Sequence, residues 1–174
     1  MIELVRRLAP SWMWQATALA LYTGQRQGDV LEMTWSAVTG GLIRVHQEKT
    51  GKHLVIPAHQ RLLAVLAEVP RSSVRILTST RGTPWTKDGF RASWQKALTG
   101  DLAPIREANL VFHGLRKSAV VTLLEAGCSD AEVAAITGQS RQMIEHYAKQ
   151  VNQQKLAASA ILKWERTRNG DLQN

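Results

Sequence analysis

The chain has 174 residues, which is about the size of one domain and enough to bury a hydrophobic core. A hydrophobic fraction of 44% excludes a chain that is disordered by composition, and the single cysteine, Cys128, excludes an intramolecular disulfide and a cluster of thiolate metal ligands. The 22 lysines and arginines outnumber the 14 acidic residues, so the formal net charge is +8. That charge favours a polyanionic partner such as nucleic acid over a basic protein without one.

The sequence also predicts a cytoplasmic protein. No apolar run approaches the roughly 20 residues that a transmembrane helix needs. The N-terminal residues, with Arg6 and Arg7 followed by Trp12, Met13 and Trp14, do not form a signal-peptide pattern. A single cysteine agrees with a reducing compartment.

The first half of the chain predicts three helices and a β-hairpin. The helices are expected at residues 11–22, 27–33 and 59–69. Short strands rich in β-branched and apolar residues are expected at 42–47 and 53–57, and residues 74–77 could form a third. Between the first two strands, Thr50-Gly51 is typical of a hairpin turn. The first and last of these helices should end at Thr23-Gly24 and at Pro70.

The second half predicts helices only. They are expected at residues 86–98, 113–126, 129–137, 140–147 and 154–166. Phe90, Trp94 and Leu98 recur at intervals of four and so line one face of the first of these helices. Ser129 followed by Glu132 is typical of a capping box at a helix start. The predicted fold class is therefore α+β and mostly α, with one small antiparallel β-sheet.

Five short segments carry residues suited to chemistry. They are Arg26 with Asp29 nearly one turn later, Lys49 at the hairpin tip, His113 with Arg116 on one helix face, Gly138-Gln139, and Tyr147. Asp29 could hold the Arg26 guanidinium in a fixed orientation. Taken singly, each segment has a commoner explanation, such as a surface ion pair, a solvated lysine or a packed tyrosine.

The order and spacing of these segments resemble the tyrosine recombinase (phage integrase) family, from about Ala18 to Lys149. The first arginine box of that family is similar to TGQRQGDVLEMTW, and its lysine hairpin is similar to EKTGKHLVIP. The second box resembles FHGLRKSAVVTLLEAG, and the segment that ends on the nucleophile resembles AAITGQSRQMIEHYAK. The combination is specific, although no single segment would be.

The resemblance implies a helical catalytic domain that cleaves and rejoins double-stranded DNA without a metal or cofactor. Tyr147 would attack a phosphodiester and form a 3′-phosphotyrosyl link. Arg26 and Arg116 would hold the non-bridging oxygens, a task that suits a planar and permanently charged guanidinium. Lys49 would protonate the departing 5′-oxygen, and His113 would assist proton transfer.

One residue departs from the family pattern. Members usually carry histidine or tryptophan where this chain has Gln139. A glutamine amide can donate a neutral hydrogen bond to a phosphate oxygen but cannot carry a proton. We therefore expect Gln139 to be a supporting phosphate ligand, and cleavage to be retained but slower.

The resemblance also bears on domain organisation and assembly. The chain is expected to be a single catalytic domain over residues 1–174, with its core in 1–150 and without the family's preceding DNA-binding domain. A tetramer on DNA is implied, with a monomer as the alternative for the isolated domain. Residues 154–166 place Leu156, Ala160 and Trp164 on one stripe, which leaves open whether this helix packs on its own domain or on a neighbouring protomer.

Three other functions compete with this interpretation. Residues 129–149 could form a helix-turn-helix in a DNA-binding protein without enzymatic activity, but the hairpin and Arg26 would then have no role. A type IB topoisomerase is similar in its catalytic residues. A metal-dependent nuclease is disfavoured, because the five histidines are scattered and show no metal-ligand spacing.

Overall fold

The structure of the protein, a computed structural model, describes residues 2–99, 102–107 and 111–170. Its helices are α1 (Ile2–Leu8), α2 (Ser11–Thr23), α3 (Gln27–Leu31), α4 (Gln60–Ala67), α5 (Lys87–Ala97), α6 (Ala103–Glu107), α7 (Phe112–Glu125), α8 (Asp130–Thr137) and α9 (Arg141–Gly170). Its strands are β1 (Val38–Thr39), β2 (Leu42–His46) and β3 (His53–Pro57). The mostly helical α+β fold class is confirmed.

The sheet is antiparallel, in the order β1-β2-β3. The β2–β3 hairpin forms as predicted, with Ile43 opposite Ile56 and both side chains buried against the helices. The third strand is β1 and not residues 74–77, where Arg75 makes only a single bridge to Thr34. Ile76 and Leu77 are both buried although they are adjacent, so this segment lacks the alternation of a half-buried strand.

Most of the predicted helices are present, with three differences. The sequence pattern did not reveal α1 or α6. The helices predicted at 140–147 and 154–166 are one continuous helix, α9. Residues 148–153 contain neither glycine nor proline, and the buried Ala148 and Val151 continue the apolar stripe that Ile144 begins, so nothing interrupts the helix there. Among the described helices, none combines the length and hydropathy needed to cross a bilayer.

The core has a main body and a smaller second cluster. In the main body, α2 is nearly surrounded and packs against α4 and α7. The second cluster joins α7, α8 and the first turns of α9 through Val120, Val133 and Ile144, all of which are fully buried. Because this cluster fixes the start of α9 beside α7, it determines where Tyr147 lies.

Aromatic side chains hold the start of α7. Phe90 on α5 meets Phe112 edge to face, with ring centroids 5.2 Å apart, and Trp94 meets the same ring at 5.1 Å. Such contacts add to the stability that burial provides. They fix the first turn of α7, which carries His113 and Arg116.

Candidate active site

A cavity of about 480 Å³ brings together most of the residues singled out in the sequence. Arg26 reaches it from the start of α3, His113 and Arg116 from α7, Gln139 from the α8–α9 turn and Tyr147 from α9. Lys52 and Lys117, which the sequence analysis missed, also line it. None of the described lining residues is an aspartate or glutamate, so the cavity is suited to an anion.

Arg116 is the most buried basic residue of this cavity. It is 6% exposed, and its Nη1 donates to the Gly24 carbonyl at 2.6 Å, whereas Nη2 is buried without a hydrogen-bond partner. Burial, and then the charge of Arg26, lower the pKa of Arg116 to about 10, while Asp29 and Tyr147 oppose that shift. The guanidinium therefore stays charged at neutral pH and keeps one buried donor for an anion.

Arg26 offers a second unpaired donor. Its Nη1 is buried and lies 3.8 Å from Asp29 Oδ2, which is an ion-pair distance and too long for a hydrogen bond. Asp29 is itself buried, and its Oδ1 accepts from the backbone N–H of Glu48 at 3.0 Å. The carboxylate thus connects α3 to Glu48, the second residue after β2, and it contacts Arg26 through one oxygen only.

Tyr147 lies half-buried on the second turn of α9. Its ring packs against the cluster formed by α7, α8 and α9, and it lines the cavity. Lys117 Nζ lies 5.5 Å from the ring centroid, within the range of a cation–π contact. The phenol is therefore placed in a cationic cavity by a packed helix rather than by a loop.

The hairpin loop presents a different lysine from the one predicted. Lys49 is exposed and is not among the residues that line the cavity. Lys52 does line it, and its Nζ donates to the Gly138 carbonyl at 3.0 Å. The sequence contained a signal for this residue, because Lys52 is a second lysine in the same turn, three positions after Lys49.

A buried amide joins three segments of the site. Gln47 is fully buried, and its Nε2 donates to Gln25 Oε1 at 2.6 Å and to the Thr137 carbonyl at 2.9 Å. Its Oε1 accepts from Thr50 Oγ1 at 2.8 Å. This one side chain therefore connects the residue before Arg26, the hairpin loop and the end of α8. The sequence analysis missed both glutamines, although Gln25 lies inside the first arginine box.

The turn after α8 depends on glycine. Gly138 has a φ of 68°, and a Cβ there would lie 2.5 Å from Gln47 Nε2. The neighbouring Gln139 is part-buried, and its backbone N–H donates to Thr137 Oγ1 at 3.3 Å. The absence of a side chain at Gly138 therefore lets Gln47 pack against the turn that carries Gln139 at the cavity.

A second cavity, of about 620 Å³, lies on the other side of Asp29 and contains paired charges. Glu48 pairs with Lys87, and that hydrogen bond holds the pKa of Glu48 below its usual value. Glu32 pairs with Arg75. Within the described part of the chain, no three histidine, cysteine, aspartate or glutamate side chains are grouped so that they could hold a metal ion.

Known proteins resemble the chain in both sequence and structure. Residues 4–154 match the model of the phage integrase family. The integrase of Enterobacteria phage 434 is 30% identical over 131 residues, which covers 70% of this chain and 36% of that protein. A lambda integrase dimer bound to a COC′ core site has a TM-score of 0.66 at 27% identity, over 84% of this chain and 55% of that one. The lambda integrase catalytic core has a TM-score of 0.61 at 27% identity, over 79% of this chain and 84% of that one.

The chain therefore spans about a third of the length of the phage 434 integrase. It corresponds much more fully to the lambda catalytic core, of which 84% is covered.

Proposed function

The chain belongs to the phage integrase family, and we propose that it is the catalytic domain of a site-specific tyrosine recombinase that cleaves and rejoins double-stranded DNA. The family resemblance of the sequence motifs is thereby confirmed. One observation carries the proposal: Tyr147 shares a cavity with two arginines that each keep a buried N–H group without a hydrogen-bond partner. Buried unpaired donors are costly, so their presence favours a site that is completed by an anionic ligand.

The proposed cleavage step is a transfer of the phosphoryl group to tyrosine. The Tyr147 hydroxyl gives up its proton, with His113 as the assisting acceptor, and its oxygen bonds to phosphorus. The bond from phosphorus to the 5′-oxygen breaks, and the 5′-oxygen takes up a proton and leaves as a hydroxyl. Arg26 and Arg116 donate to the non-bridging oxygens, on which negative charge increases in the transition state. Removing one such donor typically costs about 10² to 10³ in rate. Rejoining is the reverse step and needs no external energy, because the phosphotyrosyl link retains the bond energy.

The proton that the leaving oxygen needs would come from Lys49, with His113 assisting. His113 is exposed at the first turn of α7 and lines the cavity. Lys49 is exposed and lies outside the cavity in this structure, so its role requires its side chain to extend from the hairpin loop toward the bound DNA. Gln139 would support the phosphate as a neutral donor, and we expect cleavage to be slower than with a proton carrier at that position.

We propose that the partner is double-stranded DNA and that the chain assembles on it as an oligomer in the cytoplasm. Lambda integrase forms a dimer on a core site and a tetramer on a Holliday junction. In α9, Ala160 and Ile161 are exposed, which leaves this part of the helix available to a neighbouring protomer. The predicted stripe residues Leu156 and Trp164 lie outside the described side chains. The domain would extend over residues 1–174, with its core in 1–150.

The decisive experiment is covalent capture of DNA. The protein would be incubated with a pool of nicked duplexes of random sequence in the presence of EDTA, and SDS-resistant protein–DNA adducts would be recovered and sequenced. We expect adducts with the native chain and none with Tyr147→Phe, which keeps the ring and removes the nucleophilic oxygen. A salt-sensitive gel shift without an adduct in either protein would instead favour the helix-turn-helix function. Relaxation of supercoils without strand exchange would favour the topoisomerase.

A further inference from the structure

We propose that Lys52 is a catalytic residue that binds a non-bridging oxygen of the scissile phosphate, as a third cation beside Arg26 and Arg116. This inference rests on the proposed cleavage function. Lys52 lines the same cavity as Tyr147 and both arginines. Among the described cavity residues, it is the only basic one that the hairpin supplies, since the others lie at the start of α3 or on α7.

The contacts of Lys52 hold its ammonium group in place without neutralising it. The side chain donates one N–H to the Gly138 carbonyl at 3.0 Å, and an ammonium has three such protons. No ion pair between Lys52 and a carboxylate occurs within residues 2–99, 102–107 and 111–170. A charged donor with two protons left is therefore anchored at the cavity.

The backbone that carries Lys52 is also fixed. The Lys52 carbonyl accepts from the Gln47 N–H at 2.8 Å, and the Gln47 side chain is buried in its bonds to Gln25 and Thr137. One end of the lysine is thus held by the hairpin and the other by the turn before Gln139. Such preorganisation is what a transition-state donor requires, because no reorganisation is needed as charge develops.

Lys52 and Lys49 lie at different positions in the hairpin loop, and we give them different roles in the cleavage step. Thr50 and Gly51, the latter with a φ of 64°, separate them in the loop, and of these two lysines Lys52 alone lines the cavity. In this proposal Lys49 keeps the role of proton donor to the leaving 5′-oxygen that the family resemblance implies. Lys52 forms or breaks no covalent bond and acts by holding the phosphate.

Binding of inorganic sulfate tests this assignment without DNA. Sulfate would be titrated against the full chain at constant ionic strength, with thermal melting as the readout. We expect Lys52→Ala to weaken sulfate binding about tenfold, which is the loss typical of one charge-assisted hydrogen bond. Lys96→Ala, which removes an exposed lysine from the last turn of α5, should bind sulfate like the native chain. Native affinity in Lys52→Ala would overturn the proposal.

A second experiment separates phosphate binding from proton donation. It uses a DNA site recovered by covalent capture, in which sulfur replaces the bridging 5′-oxygen at the scissile phosphate. A thiolate leaves without being protonated, so this substrate does not need a proton donor. Lys52→Ala should cleave both the oxygen and the sulfur substrate about 10²-fold more slowly than the native chain. Native rates, or recovery of the native rate on the sulfur substrate alone, would overturn the proposal. If the native chain binds sulfate but forms no adduct with DNA, the proposed recombinase function fails, and the sulfate result still decides whether Lys52 belongs to the anion site.

Discussion

Replacing Gln47 with alanine should lower the free energy of unfolding by about 3 kcal/mol. The side chain is fully buried and makes three hydrogen bonds through its amide. The change deprives Gln25 Oε1 and the Thr137 carbonyl of their donor, and each buried group left unsatisfied costs about 1 to 3 kcal/mol. The lost packing adds about 1 kcal/mol. The total is a large fraction of the roughly 5 to 15 kcal/mol that stabilises a domain.

Urea denaturation followed by far-ultraviolet circular dichroism measures this loss. Gln47→Met is the matched variant, because it keeps most of the volume and removes the hydrogen bonds, so we expect it to lose about 2 kcal/mol. The difference between the two variants gives the contribution of packing. A loss below about 1 kcal/mol in Gln47→Ala, with an unchanged denaturant slope, would refute the view that this amide holds the hairpin to the end of α8.

Two other changes test local parts of the site and its supports. Gly138→Ala should destabilise the fold by more than about 2 kcal/mol, because it combines a left-handed backbone with a Cβ 2.5 Å from Gln47. The control is Gly51→Ala, which has a similar φ of 64° but no atom within 4 Å of the added Cβ. It should cost only about 1 kcal/mol in the same urea assay. Equal losses would contradict the close approach. Hydrogen bonds from the Ser129 hydroxyl and backbone N–H hold the pKa of Glu132 below its ordinary value. Its stabilisation is therefore present above the unfolded pKa and is lost as the pH falls through the lower folded pKa. Glu132→Gln should therefore be less stable than the native chain at pH 6 and equal to it in strong acid, and a difference that does not change with pH would contradict the capping role.

Local sequence signals determined most of the secondary structure and pointed to several candidate site residues. The capping box from Ser129 to Glu132 forms as expected at the start of α8, and Gly138 ends that helix in a left-handed conformation. The shared face of His113 and Arg116 follows from helical spacing, which any isolated helix would show. Signals of this kind act within one or two turns, so they are complete in the sequence.

The continuity of α9 and the identity of the third strand depended on packing. The apolar residues Ala148 and Val151 extend the helix because α7 and α8 offer a surface to cover them. Val38 and Thr39 pair with β2, whereas residues 74–77 do not form a strand, although their composition resembles one. Neither outcome is contained in the local pattern, because both depend on which neighbour is present.

The sequence by itself predicted Arg26, Arg116 and Tyr147 as candidate site residues, because each belongs to a motif with recognisable order and spacing, and the structure places all three at one cavity. Only the tertiary structure decided that Lys52 rather than Lys49 lines the cavity, and that Gln25 and Gln47 hold its segments together. A loop has no periodicity that directs a side chain, so contacts with distant segments decide where a lysine points. The bond from Gln47 to the Thr137 carbonyl joins positions 90 residues apart, and such a contact forms only when folding brings the segments together.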